Sequence, residues 1–270
     1  MNRILFETDE IVNGVATFGG ERAEHVMNVL HGEVGQVLKT GEINGPIGTS
    51  VITGISRLPS SVSSPEITVA CSHAERSLQP WVDLILAPPR PRVMKRLLPQ
   101  LATMGVGRIF LVGAKKVEKD FWGATLLKPE NYRPLLVDGL MQAGTSILPT
   151  LETRRNFRKF VREELDGLWP EARRIVAHPY GVGGEDLRRE TRDLRGLETL
   201  DGRRGLKSNV SGPFAGLLLA IGPEGGWTDE EVSLLEEHGF ARYSLGSRIL
   251  RTDTATIALL AQLMKEFDQC

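Results

Sequence analysis

Two short stretches near the carboxyl end carry residue types that could do chemistry: Gly222-Pro223-Glu224-Gly225-Gly226 and Gly246-Ser247-Arg248-Ile249-Leu250-Arg251. Three glycines and a proline in five positions specify a loop with unusual backbone angles, and the missing side chains let a ligand approach the main chain. The second stretch sets two arginines beside an apolar Ile-Leu pair, a combination able to line an apolar pocket and balance negative charge on whatever reacts there. Glu224 could position a base or an arginine. Neither stretch holds an evident general base.

Other chemistries find no support. The five histidines and two cysteines show no metal-ligand spacing, so no metal is expected. Neither a Gly-x-Ser-x-Gly elbow nor a glycine loop ending in Gly-Lys-Ser/Thr occurs, and no Gly-x-Gly-x-x-Gly follows a first strand.

The elements around the two stretches are short and well punctuated. Leu217 to Ile221 is an apolar run too brief for a helix, as expected of a parallel strand buried on both faces, and it empties into the first glycine loop. A helix follows, with Thr228 and Glu231 at capping-box spacing, acidic residues in the first turn and Gly239 at its end. Arg242 to Leu245 reads as a second strand ending at Gly246. The final helix sets Ile257, Leu260, Ala261, Met264 and Phe267 along one face, with Leu259 and Leu263 beside that stripe. Both glycine loops thus leave the carboxyl ends of strands, where ligands bind in open α/β sheets.

Upstream, residues 1–72 hold β-like runs at Arg3 to Phe6, Gly35 to Thr40, Gly48 to Ile55 and Glu66 to Ala70, with a short helix over Glu21 to Leu30. This is the pattern of a small barrel or sandwich. Leu58 to Pro65 is a Pro- and Ser-rich loop, and residues 73–80 read as a linker. From Trp81 the pattern becomes strand, helix, strand: Leu84 to Ala87, Val93 to Met104, Arg108 to Val112. That is a βαβ unit, which implies a parallel sheet. Pro99 should kink or shorten the helix. Helices over Asn131 to Gln142 and Phe157 to Leu165, then a strand over Arg174 to Ala177, continue the α/β pattern through residues 81–270, with a polar insertion from Gly181 to Ser211. Arg90, Arg92, Lys95 and Arg96 cluster after one strand and could hold phosphates. Lys115, Lys116 and Lys119, after the next, read as wet surface.

Composition bounds the partners. With 33 basic and 34 acidic residues the net charge is −1, which argues against coating nucleic acid by bulk attraction and leaves only local basic patches for RNA. Cys71 and Cys270 are too few for a disulfide framework. No run approaches a membrane span and MNRILFETDEI lacks a signal-peptide core, so a cytoplasmic protein with no membrane partner is expected.

The segments IGPEGG and LGSRILRTDTA, in this order with a capped helix between them, resemble the two C-terminal signature segments of the RsmE family, the 16S ribosomal RNA uridine-N3 methyltransferases of the SPOUT class. The likeness is close over about fifty residues. His25-Val26-Met27-Asn28-Val29-Leu30-His31 with Val34-Gly35 resembles the HxxxVLR…VG segment of the family's PUA-like RNA-binding domain, with His31 in place of the family's arginine. The family's Glu before Leu-Gly-Val is absent at Met104-Gly105-Val106, and its Glu-Gln-Ser-Gly-Arg segment reads Met141-Gln142-Ala143-Gly144-Thr145. The resemblance implies a PUA-like β-barrel followed by a parallel α/β sheet with a deep trefoil knot, S-adenosylmethionine as cofactor, small-subunit ribosomal RNA as substrate, and a homodimer. It further implies that Gly222, Pro223, Gly225, Leu245, Gly246, Ile249 and Leu250 shape the cofactor pocket, and that Arg248, Arg251 and Glu224 serve the acceptor. Tight turns formed for their own geometry, and surface ion pairs of the arginines with Glu224, Glu231 or Asp253, are the alternatives at these positions. At the level of function the alternatives are a related enzyme acting on a ribose 2′-hydroxyl and a non-catalytic RNA-binding assembly factor.

Overall fold

The computed structural model describes residues 2–56, 65–179 and 216–267. The Pro- and Ser-rich stretch ahead of Pro65, the 181–211 insertion and Cys270 lie outside the described residues, as does the rest of the connection from 180 to 215. Two compact units emerge: Met1–Gln79 with Arg133–Leu148, and Pro80–Tyr132 with Pro149–Cys270.

The first unit is built on a six-stranded sheet of β1 (Ile4–Phe6), β2 (Ile11–Val12), β3 (Val15–Phe18), β4 (Val37–Glu42), β5 (Ile47–Ser56) and β6 (Glu66–Glu75). Its order is β1-β4-β5-β6-β3-β2, with β1 and β4 parallel and the other neighbours antiparallel. Strict alternation turns Ala16 and Phe18 inward and Val15 and Thr17 outward. The inward residues meet Ile4, Phe6, Leu38, Ile52, Ile67 and Val69, and helix α1 (Gly20–Asn28) adds Ala23 and Val26 to this core. Strands β2 and β3 are additional to the expected runs. Their turn is Asn13-Gly14, with φ of 51° and 75°, a two-residue hairpin signature.

The second unit contains β7 (Val82–Leu86), β8 (Val106–Val112), β9 (Thr150–Arg154), β10 (Arg173–Ala177), β11 (Leu217–Ile221) and β12 (Ala241–Tyr243). All neighbours in its order β12-β10-β11-β7-β8-β9 are parallel, as the βαβ pattern requires. Every residue of β7 and β11 is buried, which explains their continuous apolar runs. The one charge among them, Asp83, has no exposed surface and accepts from Arg108 Nε at 2.7 Å, Arg108 N at 2.8 Å and Trp169 Nε1 at 2.7 Å. Strand β9, also additional, is a half-polar edge that periodicity does not reveal.

Helix α2 (Pro91–Thr103) starts with Pro91 at its first position and runs through Pro99, which does not shorten it. Leu101 and Ala102, buried beyond the proline, hold the last turn against the missing N–H. Helix α3 (Pro129–Ala143) follows. The single helix expected from Phe157 to Leu165 is instead two, α4 (Phe157–Glu163) and α5 (Leu165–Leu168), because Glu164 departs to φ −115°. Helix α6 (Asp229–Glu237) carries the expected capping box of Thr228 and Glu231.

Helix α7 (Thr252–Phe267) turns a different face inward from the one expected. Thr252, Thr256, Leu259, Leu260 and Leu263 are buried, whereas Ile257 and Met264 are half-buried and Ala261 is exposed. Two threonines hide the inner stripe from an apolar count. Thr256 can be buried because its hydroxyl donates to the carbonyl of Thr252 at 2.7 Å. No described helix is long and apolar enough to cross a membrane.

Candidate active site

Parallel strands β10, β11 and β12 end side by side, and the loops that leave them wall a cavity of about 450 Å³. One wall is Gly222 to Trp227 and another is Tyr243 to Gly246 with Arg248 to Leu250, joined by Ala177, His178 and Pro179 from the end of β10 and Lys116 from the loop after β8. The two glycine stretches, distant from each other in sequence, thus share one site. Gly222, Pro223, Gly225, Leu245, Gly246, Ile249 and Leu250 all line it, and so do Glu224 and Arg248. Gly246 takes φ of 120°, a conformation closed to ordinary side chains, so its glycine is required by the backbone itself.

Arg251 stands apart from that lining. Its side chain is 69% exposed, and its Nε lies 3.7 Å from Asp253 Oδ1, while the other oxygen of Asp253 accepts from Arg96 at 3.2 Å. Glu224 lies 3.7 Å from Arg90 Nε, and Arg90 also reaches within 3.9 Å of Glu118. These exposed pairs are weak individually. They join the Arg90 loop to the first glycine loop.

Lys116, read from sequence as wet surface, lines the cavity, and so do His178, Trp227, Tyr243 and Thr252, to which the sequence assigned no site role. Lys116 donates to the carbonyl of Gly225 at 2.8 Å. Tyr243 is buried, and its hydroxyl oxygen accepts from Gln262. Trp227, 5% exposed, packs its ring against Phe157 in a tilted pair, with centroids 5.2 Å apart. Its indole Nε1 is buried with no hydrogen-bond partner. A Cβ built on Gly222 would stand 3.1 Å from that nitrogen, so only a glycine leaves the indole edge uncovered by a side chain. A buried donor left unpaired costs about 1–3 kcal/mol, and such groups call for an explanation. Among the described residues, no three His, Cys, Asp or Glu side chains gather as a metal site.

Comparison with known proteins gives the family and the fold. The ribosomal RNA small subunit methyltransferase E of Treponema pallidum is 29% identical over 270 residues, covering 98% of this chain and 91% of that protein. The corresponding enzyme 1 of Borreliella burgdorferi is 23% identical, covering 96% and 95%. Two solved structures share the fold: a methyltransferase from Legionella pneumophila in complex with bound SAM (TM-score 0.67, 22% identity, 98% and 97% covered) and a ribosomal RNA small subunit methyltransferase E from Neisseria gonorrhoeae bound to S-adenosyl methionine (TM-score 0.65, 18% identity, 98% and 97% covered). The relatives thus bear the RsmE name that the two glycine loops resemble, and because the RNA methyltransferase domain model matches residues 76–264, this chain belongs to that family.

Proposed function

We propose that this chain, an S-adenosylmethionine-dependent methyltransferase of small-subunit ribosomal RNA, places the methyl group on N3 of a uridine in the cavity between its two glycine loops. The observation that carries the reading is that one cavity is walled by both loops and by a buried indole N–H lacking a partner. An adenosine and amino-acid ligand fits such a lining, which offers main-chain groups at Gly222 to Gly226, apolar contact at Leu245, Ile249 and Leu250, and an unused donor at Trp227. Bound there, S-adenosylmethionine would supply an electrophilic methyl group, its sulfur–methyl bond breaking as the methyl passes to N3 and the neutral thioether S-adenosylhomocysteine leaves.

The chain's own residues must align the two reactants and stabilise charge. The N3 proton of uracil has to leave before or during attack, and negative charge then spreads over the flanking ring oxygens. Arg248, at the cavity wall, is the guanidinium placed to stabilise that charge, with Arg251 as a second cation on the same loop and Glu224 orienting the base or an arginine. Arg90, Arg92, Lys95 and Arg96 would hold phosphates, and the first unit, as a PUA-like domain, would present the RNA to the catalytic second unit. The deep trefoil knot and a symmetric homodimer belong to the same proposal. The half-exposed Ile257, Ala261 and Met264 face of α7 is the part offered to a second copy, and light scattering at micromolar concentration would read the doubled mass.

The test is turnover of Arg248→Ala on small ribosomal subunits, with the modified nucleotide mapped. Loss of one charge-stabilising donor should lower kcat by about 10²–10³ while cofactor affinity stays near wild type. Normal turnover, or methylation of a ribose hydroxyl, would remove the uridine-N3 reading.

A further inference from the structure

We propose that Lys116 is the anion-reading group of this cavity and that it takes the carboxylate of bound S-adenosylmethionine, an inference resting on the cofactor reading above. Lys116 follows β8 and lines the cavity. Its ammonium donates to the carbonyl of Gly225 at 2.8 Å and lies 3.5 Å from the carbonyl of Trp227. Its stem lies along the glycine: a Cβ built on Gly225 would come 3.1 Å from Lys116 Cδ. The cation is therefore held in place by main chain, at the loop the cofactor is read to lie against.

Two carbonyls orient an ammonium without neutralising it. Among the described residues no Asp or Glu pairs with Lys116, and the carboxylate of Glu224, on the same loop, sits by Arg90 at 3.7 Å. A lysine has three donors, so after two carbonyls one remains for a ligand. A fixed cation with a spare donor, at the wall of a cavity lined by glycine, suits a carboxylate. The mooring itself is fixed from behind. Lys115, the preceding residue, donates its main-chain N–H to Glu231 Oε1 at 2.7 Å, and Glu231 is buried. The rival anion is an RNA phosphate. The cofactor carboxylate is favoured because Lys116 is bonded to the glycine loop itself, whereas the cluster suited to phosphates, Arg90 to Arg96, leaves a different strand.

The experiment is titration calorimetry on wild type, Lys116→Gln and Lys116→Arg with two ligands. S-adenosylhomocysteine keeps the carboxylate and 5′-methylthioadenosine lacks it. Glutamine can still donate to the Gly225 carbonyl, so it removes the charge while retaining the mooring. Lys116→Gln should weaken S-adenosylhomocysteine by about tenfold and leave 5′-methylthioadenosine within about twofold, and Lys116→Arg should restore most of the loss. Equal weakening of both ligands would mean that Lys116 only shapes the loop, and overturns the inference. So would unchanged affinity for both, with binding of small ribosomal subunits weakened and made less salt-dependent, which would assign the cation to a phosphate. If wild type binds neither ligand, the cofactor reading falls and this inference with it, whereas binding to wild type without discrimination by the variants removes this inference alone.

Discussion

Glu231 joins two loops that are remote in sequence: one carboxylate oxygen accepts the main-chain N–H of Lys115 at 2.7 Å and the other accepts that of Thr228 at 2.9 Å. A capping residue of α6 thereby also fixes the loop after β8. Its side chain is buried, and both hydrogen bonds are partly shielded from water.

Glu231→Ala should therefore do more than loosen a cap. Two part-buried donors lose their acceptor, at a cost of up to about 1–3 kcal/mol each where water does not replace it, and the Lys116 mooring loses its support. We expect a urea midpoint well below wild type together with weaker binding of S-adenosylhomocysteine. Glu231→Gln keeps one good acceptor and should fall between the two. Wild-type ligand affinity in a destabilised Glu231→Ala would show that the link does not reach the cavity.

Gly246 offers a cleaner separation of fold from site. Its φ of 120° is strained for any residue with a Cβ, yet a Cβ there would meet nothing within 4 Å. Strain of about 1–2 kcal/mol would be relieved by moving the loop, and this loop is a wall of the cavity. Gly246→Val is expected to keep the thermal midpoint within a few degrees and to lose most of its affinity for S-adenosylhomocysteine by calorimetry. Unchanged affinity would take Gly246 out of the site.

The contrast between legible and hidden features follows from what each signal depends on. Strand β11 and the first glycine loop could be read directly, since a fully buried parallel strand leaves an unbroken apolar run and the loop is dense in glycine. The capping box of Thr228 and Glu231 was equally plain, being local. Lys116 was not, because its partner Gly225 lies 109 residues away and a lysine cluster in sequence looks like wet surface. Trp227 reads as an ordinary core aromatic until its nitrogen is found unpartnered. The inner face of α7 was misjudged because Thr252 and Thr256 serve as core residues. The Asn13-Gly14 turn, a local two-residue hairpin signal, went unread in a stretch without a long apolar run, so β2 and β3, whose register it sets, were not expected.

Asp83 should dominate the stability of the second unit. Asp83→Ala would leave the Arg108 guanidinium, 12% exposed, and the Trp169 indole N–H without their shared acceptor. Breaking a buried pair from one side typically costs about 3–5 kcal/mol. The Arg108 side chain also lies over the Trp169 ring at 4.6 Å, so its displacement would disturb the aromatic packing of Trp169 on Phe110 and Phe160. We expect a large drop in urea midpoint, read by tryptophan fluorescence. A drop comparable to that of an exposed-site substitution would refute the role.

Acid should expose a second set of carboxylates, with a sign opposite to that of Asp83. The hydrogen bond from Arg174 at 2.5 Å, then that from His238, holds Asp166 below its ordinary value of 3.8. Arg242 does the same for Glu236, whose ordinary value is 4.5. A group lowered in the folded state contributes stability that is present above its unfolded value and lost as pH falls through the folded one. The Asp166 and Glu236 contributions are thus whole at neutral pH and fade below about pH 4.5. Asp83 runs the other way: burial, outweighing the hydrogen bonds of Trp169 and Arg108, raises it, so its ionised form disfavours the fold and acid relieves that cost. Urea midpoints at pH 7 and pH 3 should therefore differ less in an Asp166→Asn, Glu236→Gln variant than in wild type, with the variant already lower at pH 7. An unchanged difference between the two pH values would assign the acid sensitivity to other groups.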